Sequence, residues 1–180
     1  MLVGWFAAAH YAVAMSEPQS TTSPTEHPSI VQFREAHTQL GGTGRIVILP
    51  DSVHTAALAA EALGCEVGAI ANSLLFDAEG TPVLILTSGS HRVNTEATAA
   101  RVGVPALKRA APEFVREHTG QVIGGVSPIA HPAPVPTWLD SQLQQYDVVW
   151  AAAGTWNDVF ALTPQELVRA SGGTVSDLKP

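Results

Sequence analysis

The chain has 180 residues, with 9 Lys+Arg against 16 Asp+Glu and a formal net charge of −7. That length supports one domain with a sizeable core. The acidic balance excludes a broad footprint for duplex nucleic acid, but it leaves room for a small basic mouth that meets one strand end. Arg92, Arg101, Lys108, Arg109 and Arg116 are the residues available for such a mouth, or for solvated helix faces. The single cysteine, Cys65, has no intramolecular partner, which fits a reducing cytoplasm and excludes a disulfide-stapled secreted fold.

In chain order, Met1 to Ala14 is apolar but too short to span a bilayer, and it lacks the cationic start of a signal peptide. Met15 opens a Ser/Thr/Pro/Glu segment reaching His27, so Met15 is expected as the true start. Residues 1–28 are expected as a disordered or loosely held tail, ahead of a domain over residues 29–175. Ile30, Val31, Phe33 and Leu40 have helical spacing that stops at Gly41-Gly42. Arg45 to Leu49 reads as a strand closed by Pro50, and His54 to Leu63 as a helix ending at Gly64.

Ala69 to Phe76 and Pro82 to Leu86 form the clearest hairpin, joined by Asp77-Ala78-Glu79-Gly80 as a type I turn with glycine at its left-handed position. Asn94 caps a helix to Val102, and Pro112 opens one that ends before Gly120. His131 to Pro136 is too proline-rich for a central strand and is expected to run extended over the surface. Val148 to Ala152 and Val159 to Leu162 resume the sheet, and Thr163-Pro164-Gln165-Glu166 predicts a capping box that opens a last helix. Strands arrive both in hairpins and between helices, so the fold class is α+β (mixed α/β) with a mixed sheet.

One stretch fits plain structure poorly. Gln121-Val122-Ile123 is a short β-prone run that breaks into Gly124-Gly125-Val126-Ser127-Pro128. Two adjacent glycines reach positive φ without steric cost and leave the backbone bare, while Pro128 restricts Ser127 to extended values. Such a loop either offers N–H donors to a ligand or simply turns the chain. The seven histidines show no i, i+3 or i+4 pairing, so no zinc spacing exists. A Ser127 nucleophile lacks the Gly-x-Ser-x-Gly elbow, because Pro128 follows directly.

With this order on the page, the chain resembles the YbaK/ProX family of aminoacyl-tRNA deacylase domains, relatives of the editing insert of prolyl-tRNA synthetase. The resemblance runs from about Ser29 to Gly173. It is carried by Thr55-Ala56, Ile70-Ala71-Asn72-Ser73-Leu74-Leu75-Phe76, Val83 to Gly89, His91-Arg92-Val93-Asn94, Arg109-Ala110, Gly124 to Pro128, Leu139-Asp140 and Ala152-Ala153-Gly154.

The resemblance implies a curved mixed sheet partly closed into a barrel, flanked by helices, with a small pocket for the aminoacyl end of a mischarged tRNA. It implies that the loop of Gly124, Gly125, Val126, Ser127 and Pro128 holds the ester carbonyl through backbone N–H groups while water cleaves the ester, with no metal or organic cofactor. Asn72 stands where many members carry a lysine regarded as essential, Asn94 where an aspartate is common, and Thr155-Trp156-Asn157 where many place a histidine. An amide still hydrogen-bonds a hydroxyl or carbonyl but loses the attraction to phosphate. By the same resemblance Thr55, His54, Ser73, Gly89, Arg92 and Gly154 are candidate substrate-binding residues. Thr55 also reads as a plain helix cap and Gly154 as a plain turn. The implied partners are the acceptor end of a mischarged tRNA and an aminoacyl-tRNA synthetase, in the cytoplasm, with no membrane and no duplex DNA. The same pocket without catalysis would make a binding module for aminoacyl-nucleotide.

Overall fold

The computed structural model describes residues 27–42 and 44–178. The expected tail and the Met15 start lie outside the described residues. Five α-helices and eight strands are present among the described residues. Helix α1 spans Pro28–Gln39, with proline in its first turn and His27 as its cap. Strand β1 (Ile46–Ile48) leads to α2 (Ala56–Leu63), where the Thr55 side chain accepts from the Leu58 N–H and Gly64 closes the helix. After a 3-10 turn at Val67–Ala69 come β2 (Ile70–Ala78) and β3 (Thr81–Ser88). Next are α3 (Thr95–Val102), β4 (Lys108–Arg109) and α4 (Pro112–Thr119). Strand β5 (Thr137–Asp140), a 3-10 turn at Ser141–Gln145, β6 (Val149–Ala152), β7 (Asp158–Leu162), α5 (Pro164–Ser171) and β8 (Thr174–Ser176) complete the order.

The β2–β3 hairpin is tighter than the sequence suggests. Ala78 pairs with Thr81, and the two residues between them, Glu79 and Gly80, have φ of 54° and 89°. Positive φ at both central positions belongs to a type I′ turn, whose twist matches that of paired strands, and not to the longer type I connection. Asp77 Oδ1 accepts from the Gly80 N–H at 2.6 Å and holds the turn. The expected strand at Gln121-Val122-Ile123 does not form. Those residues enter a β-turn closed by the Gly125 N–H on the Val122 carbonyl at 3.0 Å. The capping box is present: Thr163 Oγ1 accepts from the Glu166 N–H and Glu166 accepts from the Thr163 N–H.

The sheet order is β1-β7-β6-β2-β3-β5-β8, with β4 attached to β2. The pairs β2–β6, β3–β5 and β5–β8 are parallel and the others antiparallel, so the sheet is mixed as expected. Its path runs from β1 to β8 without those two pairing, so by hydrogen bonds it is not a closed barrel. The main core joins Phe33, Leu84, Leu86, Leu139, Phe160 and Leu167, all buried, with Val115 and Val126 at its edge. Phe33 packs on Phe160 with ring centroids 4.5 Å apart, which ties α1 to the sheet. Burying a phenylalanine of this kind contributes on the order of 1.5–3 kcal/mol.

One break in the ladder positions the site. The Gly89 N–H donates to the Ile70 carbonyl at 2.7 Å, so Ile70, Asn72, Leu74 and Phe76 turn their backbone groups toward β3. The alternate residues Ala71, Ser73, Leu75 and Asp77 then turn theirs to the opposite edge. On that edge β6 pairs only at Ile70 and Ala71, and β4 only at Phe76 and Asp77. Between them, Asn72–Leu75 has no strand beside it among the described residues.

Candidate functional site

A cleft of about 540 Å³ opens at this gap. All of Ile70 to Phe76 lines it, so both faces of β2 contribute. The start of α2 (His54, Thr55, Ala56), Arg109 and Ala110, Val115, Ile123, Gly124 and Val126, and Trp150, Trp156 and Val159 complete most of the wall. The lining is mainly apolar with a few polar groups, the usual build of a small-molecule site. Arg109 is its only formally charged side chain among the described residues, and no carboxylate lines it.

Asn72 stands half-buried on β2, in register with Thr87, and its side-chain amide makes no hydrogen bond among the described residues. The neighbouring Ser73 Oγ is buried and also lacks a partner. A buried hydroxyl without a partner costs free energy that a polar ligand atom can recover. Thr55 lines the cleft while its Oγ1 accepts from the Leu58 N–H at 3.2 Å, so it caps α2 whatever else it does. His54 lies beside it, with its ring centroid 5.3 Å from that of Trp156 and the planes tilted by 34°.

The loop from Gly124 to Pro128 divides by residue. Gly124 has φ of +88° at the third position of the β-turn, the left-handed value a type II turn requires. Gly125 does not share it; its backbone is in an ordinary conformation and needs glycine for space. A Cβ there would lie 2.4 Å from the Thr155 carbonyl carbon, so the loop is pressed onto the β6–β7 connection.

Ser127 is fully buried and does not line the cleft. Its N–H donates to Gln121 Oε1 at 2.7 Å, its Oγ donates to the Ile129 carbonyl, and Gln121 Nε2 donates to its Oγ at 3.1 Å. His131 Nε2 meets the Ser127 carbonyl at 2.9 Å, and burial pushes the His131 pKa down. With the Gly125 and Ser127 amides engaged and Pro128 without one, two N–H groups of the loop remain. Those of Gly124 and Val126 donate to no protein group among the described residues, and these are the two loop residues that line the cleft.

The remaining expected site residues lie elsewhere. A Cβ on Gly89 would lie 2.4 Å from the Val67 carbonyl oxygen, so this glycine lets the end of β3 pass behind the 3-10 turn. Gly154, at φ of +103°, turns the chain against Ser29 of α1, where a Cβ would stand 2.9 Å from the Ser29 carbonyl oxygen. Arg92 is exposed in the connection after β3. None of the three lines the cleft. Of the basic residues proposed for a mouth, only Arg109 lines the cleft, and Arg101 is spent on Asp177.

The sequence reading passed over Ile123 and Trp156 as site residues. Both line the cleft and stay exposed, at 55% and 40%. Their signal was a large apolar side chain beside glycine: Trp156 stands two residues after Gly154, and Ile123, expected at the end of a strand, directly precedes Gly124. It also missed the pair of partly buried His91 Nδ1 and fully buried Asp140 Oδ2 at 2.6 Å, which fastens the chain just after β3 to β5 and lies outside the cleft lining.

An apolar cleft at a split sheet edge, with no carboxylate in its lining and two loop amides without an acceptor among the described residues, offers room for a small apolar group and N–H donors for an oxygen atom. Comparison with known proteins gives the class: the chain belongs to the aminoacyl-tRNA editing domain family, whose model matches residues 50–170. The resemblance to the YbaK/ProX proteins is thereby borne out. The uncharacterised protein YwhH of Bacillus subtilis is 32% identical over 140 residues, covering 77% of this chain and 88% of that one. EbsC of Enterococcus faecalis, a candidate Cys-tRNA(Pro)/Cys-tRNA(Cys) deacylase, is 27% identical over 120 residues, covering 66% and 73%. The crystal structure of a candidate trans-editing enzyme for prolyl-tRNA synthetase superposes with a TM-score of 0.79 and 43% identity, covering 87% of this chain and 99% of the other. Among the described residues no helix is long and apolar enough to cross a membrane.

Proposed function

We propose that this chain is a trans-acting hydrolase that cleaves the ester of a mischarged aminoacyl-tRNA. The observation that carries the reading is the state of the loop amides: Gly124 and Val126 line the cleft with N–H groups that no acceptor among the described residues has taken. The substrate's acyl group enters the apolar part of the cleft beside Ala71, Leu75 and Val115. Its carbonyl oxygen accepts from the two free amides. Water attacks the carbonyl carbon, negative charge collects on the oxygen in the tetrahedral state, and fixed donors stabilise that charge more than the ground state. Collapse expels the terminal ribose hydroxyl and frees the amino acid.

Asn72 and the unpartnered Ser73 Oγ supply hydrogen bonds to the ribose or the amino group, and Arg109 supplies the cleft's positive charge for a phosphate. Ser127 acts as a brace of the loop and not as a nucleophile. We place this activity in the cytoplasm beside a synthetase, whose own pocket separates small apolar side chains by only about 10 to 200-fold. We assign it to residues 29–175 as one unit.

Single-turnover hydrolysis over a panel of mischarged tRNAs tests the reading, with at least one ester cleaved well above its spontaneous rate. A second reading follows from Asn72, since the cleft carries no lysine: a silent module that binds aminoacyl-nucleotide. Tight binding with no hydrolysis across the panel would decide for that reading.

A further inference from the structure

We propose that Trp156, backed by His54, is the platform on which the terminal adenine of the tRNA acceptor end stacks, an inference that rests on the deacylase reading above. Trp156 occupies the β6–β7 connection at the rim of the cleft, and the residue is 40% exposed. A large aromatic left open to water at a cleft mouth marks a contact surface. The indole Nε1–H donates to no protein group among the described residues, so the ring is not held outward by a bond of its own.

The backbone on either side of it is held. Thr155 Oγ1 donates to Asp158 Oδ2, the Leu49 N–H donates to the Asn157 carbonyl at 2.7 Å, and Asn157 Nδ2 donates to the Leu49 carbonyl at 3.4 Å. The loop's polar groups thus fix the connection, while the Trp156 side chain stays partly open to solvent. Such a fixed aromatic loses little entropy when a base stacks on it.

Its position selects the base. A Cβ placed on Gly124 would lie 3.8 Å from Trp156 Cβ, so the base of this side chain adjoins the loop assigned to the ester carbonyl, and both residues line the same cleft. In an aminoacyl-tRNA the ester is made on the terminal ribose, and the adenine is the base bonded to that same ribose. An ester seated at Gly124 and Val126 therefore brings the adenine to Trp156 before any other base. The exposed Ile123 borders the same rim. Stacking on an aromatic ring needs no cationic side chain and suits a cleft in which Asn72 stands where the resemblance implies a lysine.

The test uses the full chain and two probes that need no hydrolysis: a CCA trinucleotide, and the same trinucleotide with an abasic terminal ribose. Isothermal titration should show the parent binding CCA more tightly than the abasic probe. Trp156→Leu should weaken CCA binding on the order of ten- to a hundredfold and leave the abasic probe unchanged, while Trp156→Phe should retain most of the affinity. Circular dichroism and a melting curve on each variant establish that it is folded. Equal binding of CCA by the parent and folded Trp156→Leu would overturn the platform, as would a parent that does not distinguish the two probes. A chain that passes these tests yet hydrolyses no mischarged tRNA keeps the platform and loses the deacylase reading.

Discussion

Gln121 is the side chain on which the loop's shape depends, and replacing it gives the sharpest test of the loop mechanism. It is fully buried, accepts from the Ser127 N–H at 2.7 Å, and donates to Ser127 Oγ at 3.1 Å and to the Ile129 carbonyl at 3.4 Å. Gln121→Leu fills nearly the same volume but offers no acceptor. The Ser127 N–H is then buried without a partner, at a cost of about 1–3 kcal/mol. The Ile129 carbonyl keeps the Ser127 hydroxyl, so the remaining losses are small, and the total should be about 2–3 kcal/mol. For a chain of this size that lowers the melting temperature on the order of 5–10 °C.

Urea titration should give a lower midpoint with an unchanged slope. Because the Ser127 N–H fixes the loop just beyond Val126, the rate should fall as well, toward the roughly hundredfold loss seen when an oxyanion donor is displaced. Ser127→Ala removes only the hydroxyl and leaves the Ser127 N–H on Gln121. It should cost about 1–2 kcal/mol and slow single-turnover hydrolysis by about tenfold or less. A serine nucleophile predicts the reverse, with Ser127→Ala dead and Gln121→Leu slowed only in proportion to stability. A Gln121→Leu protein with parental midpoint and parental rate would refute the reasoning outright.

Three further outcomes are expected. Asn72→Ala should weaken ester hydrolysis while Asn72→Lys stays measurably active, both remaining folded; parental activity of Asn72→Ala on the best substrate would remove Asn72 from the site. The two glycines should separate by mechanism. Gly125→Ala forces a Cβ against the Thr155 backbone and should cost on the order of 1–3 kcal/mol or more through overpacking. Gly124→Ala, whose Cβ would meet nothing closer than 3.8 Å, should cost about 1–2 kcal/mol of backbone strain, and comparable urea midpoints for parent and both variants would contradict this. Burial lowers the pKa of His131 and of His37 from 6.5, the latter against the opposing pull of Glu166. The unfolded chain therefore binds these protons first, and stability should fall as pH drops below about 6.5 until the buried rings themselves protonate. His131→Gln should flatten that slope, and an unchanged melting profile between about pH 7.5 and about 5.5, either side of the usual histidine value, would count against the assignment.

The helices were legible because their signals are local. Thr55, Asn94 and Thr163 each cap the helix expected of them, and Gly64, Gly103 and Gly172 each close one in the left-handed conformation. The strands that escaped notice, Lys108–Arg109, Thr137–Asp140 and Thr174–Ser176, are two to four residues long and exist through partners distant in sequence. No window of the chain contains that information. The loop was only partly legible for a related reason. Gly124-Gly125 announces a bare backbone, yet only the fold decides which glycine needs positive φ and which needs the space beside Thr155.

The same distinction explains why only some of the expected residues line the cleft. Asn72, Ser73, His54 and Thr55 reach the cleft because β2 and the start of α2 border the gap in the ladder. Gly89 and Gly154 also belong to stretches that carry the resemblance but serve close packing at Val67 and Ser29. A motif glycine therefore marks a place where backbones approach, and it takes the hydrogen-bond accounting to say whether the approaching group is a ligand. Applied to residues 124–128, that accounting leaves Gly124 and Val126, and no others, with amides to offer.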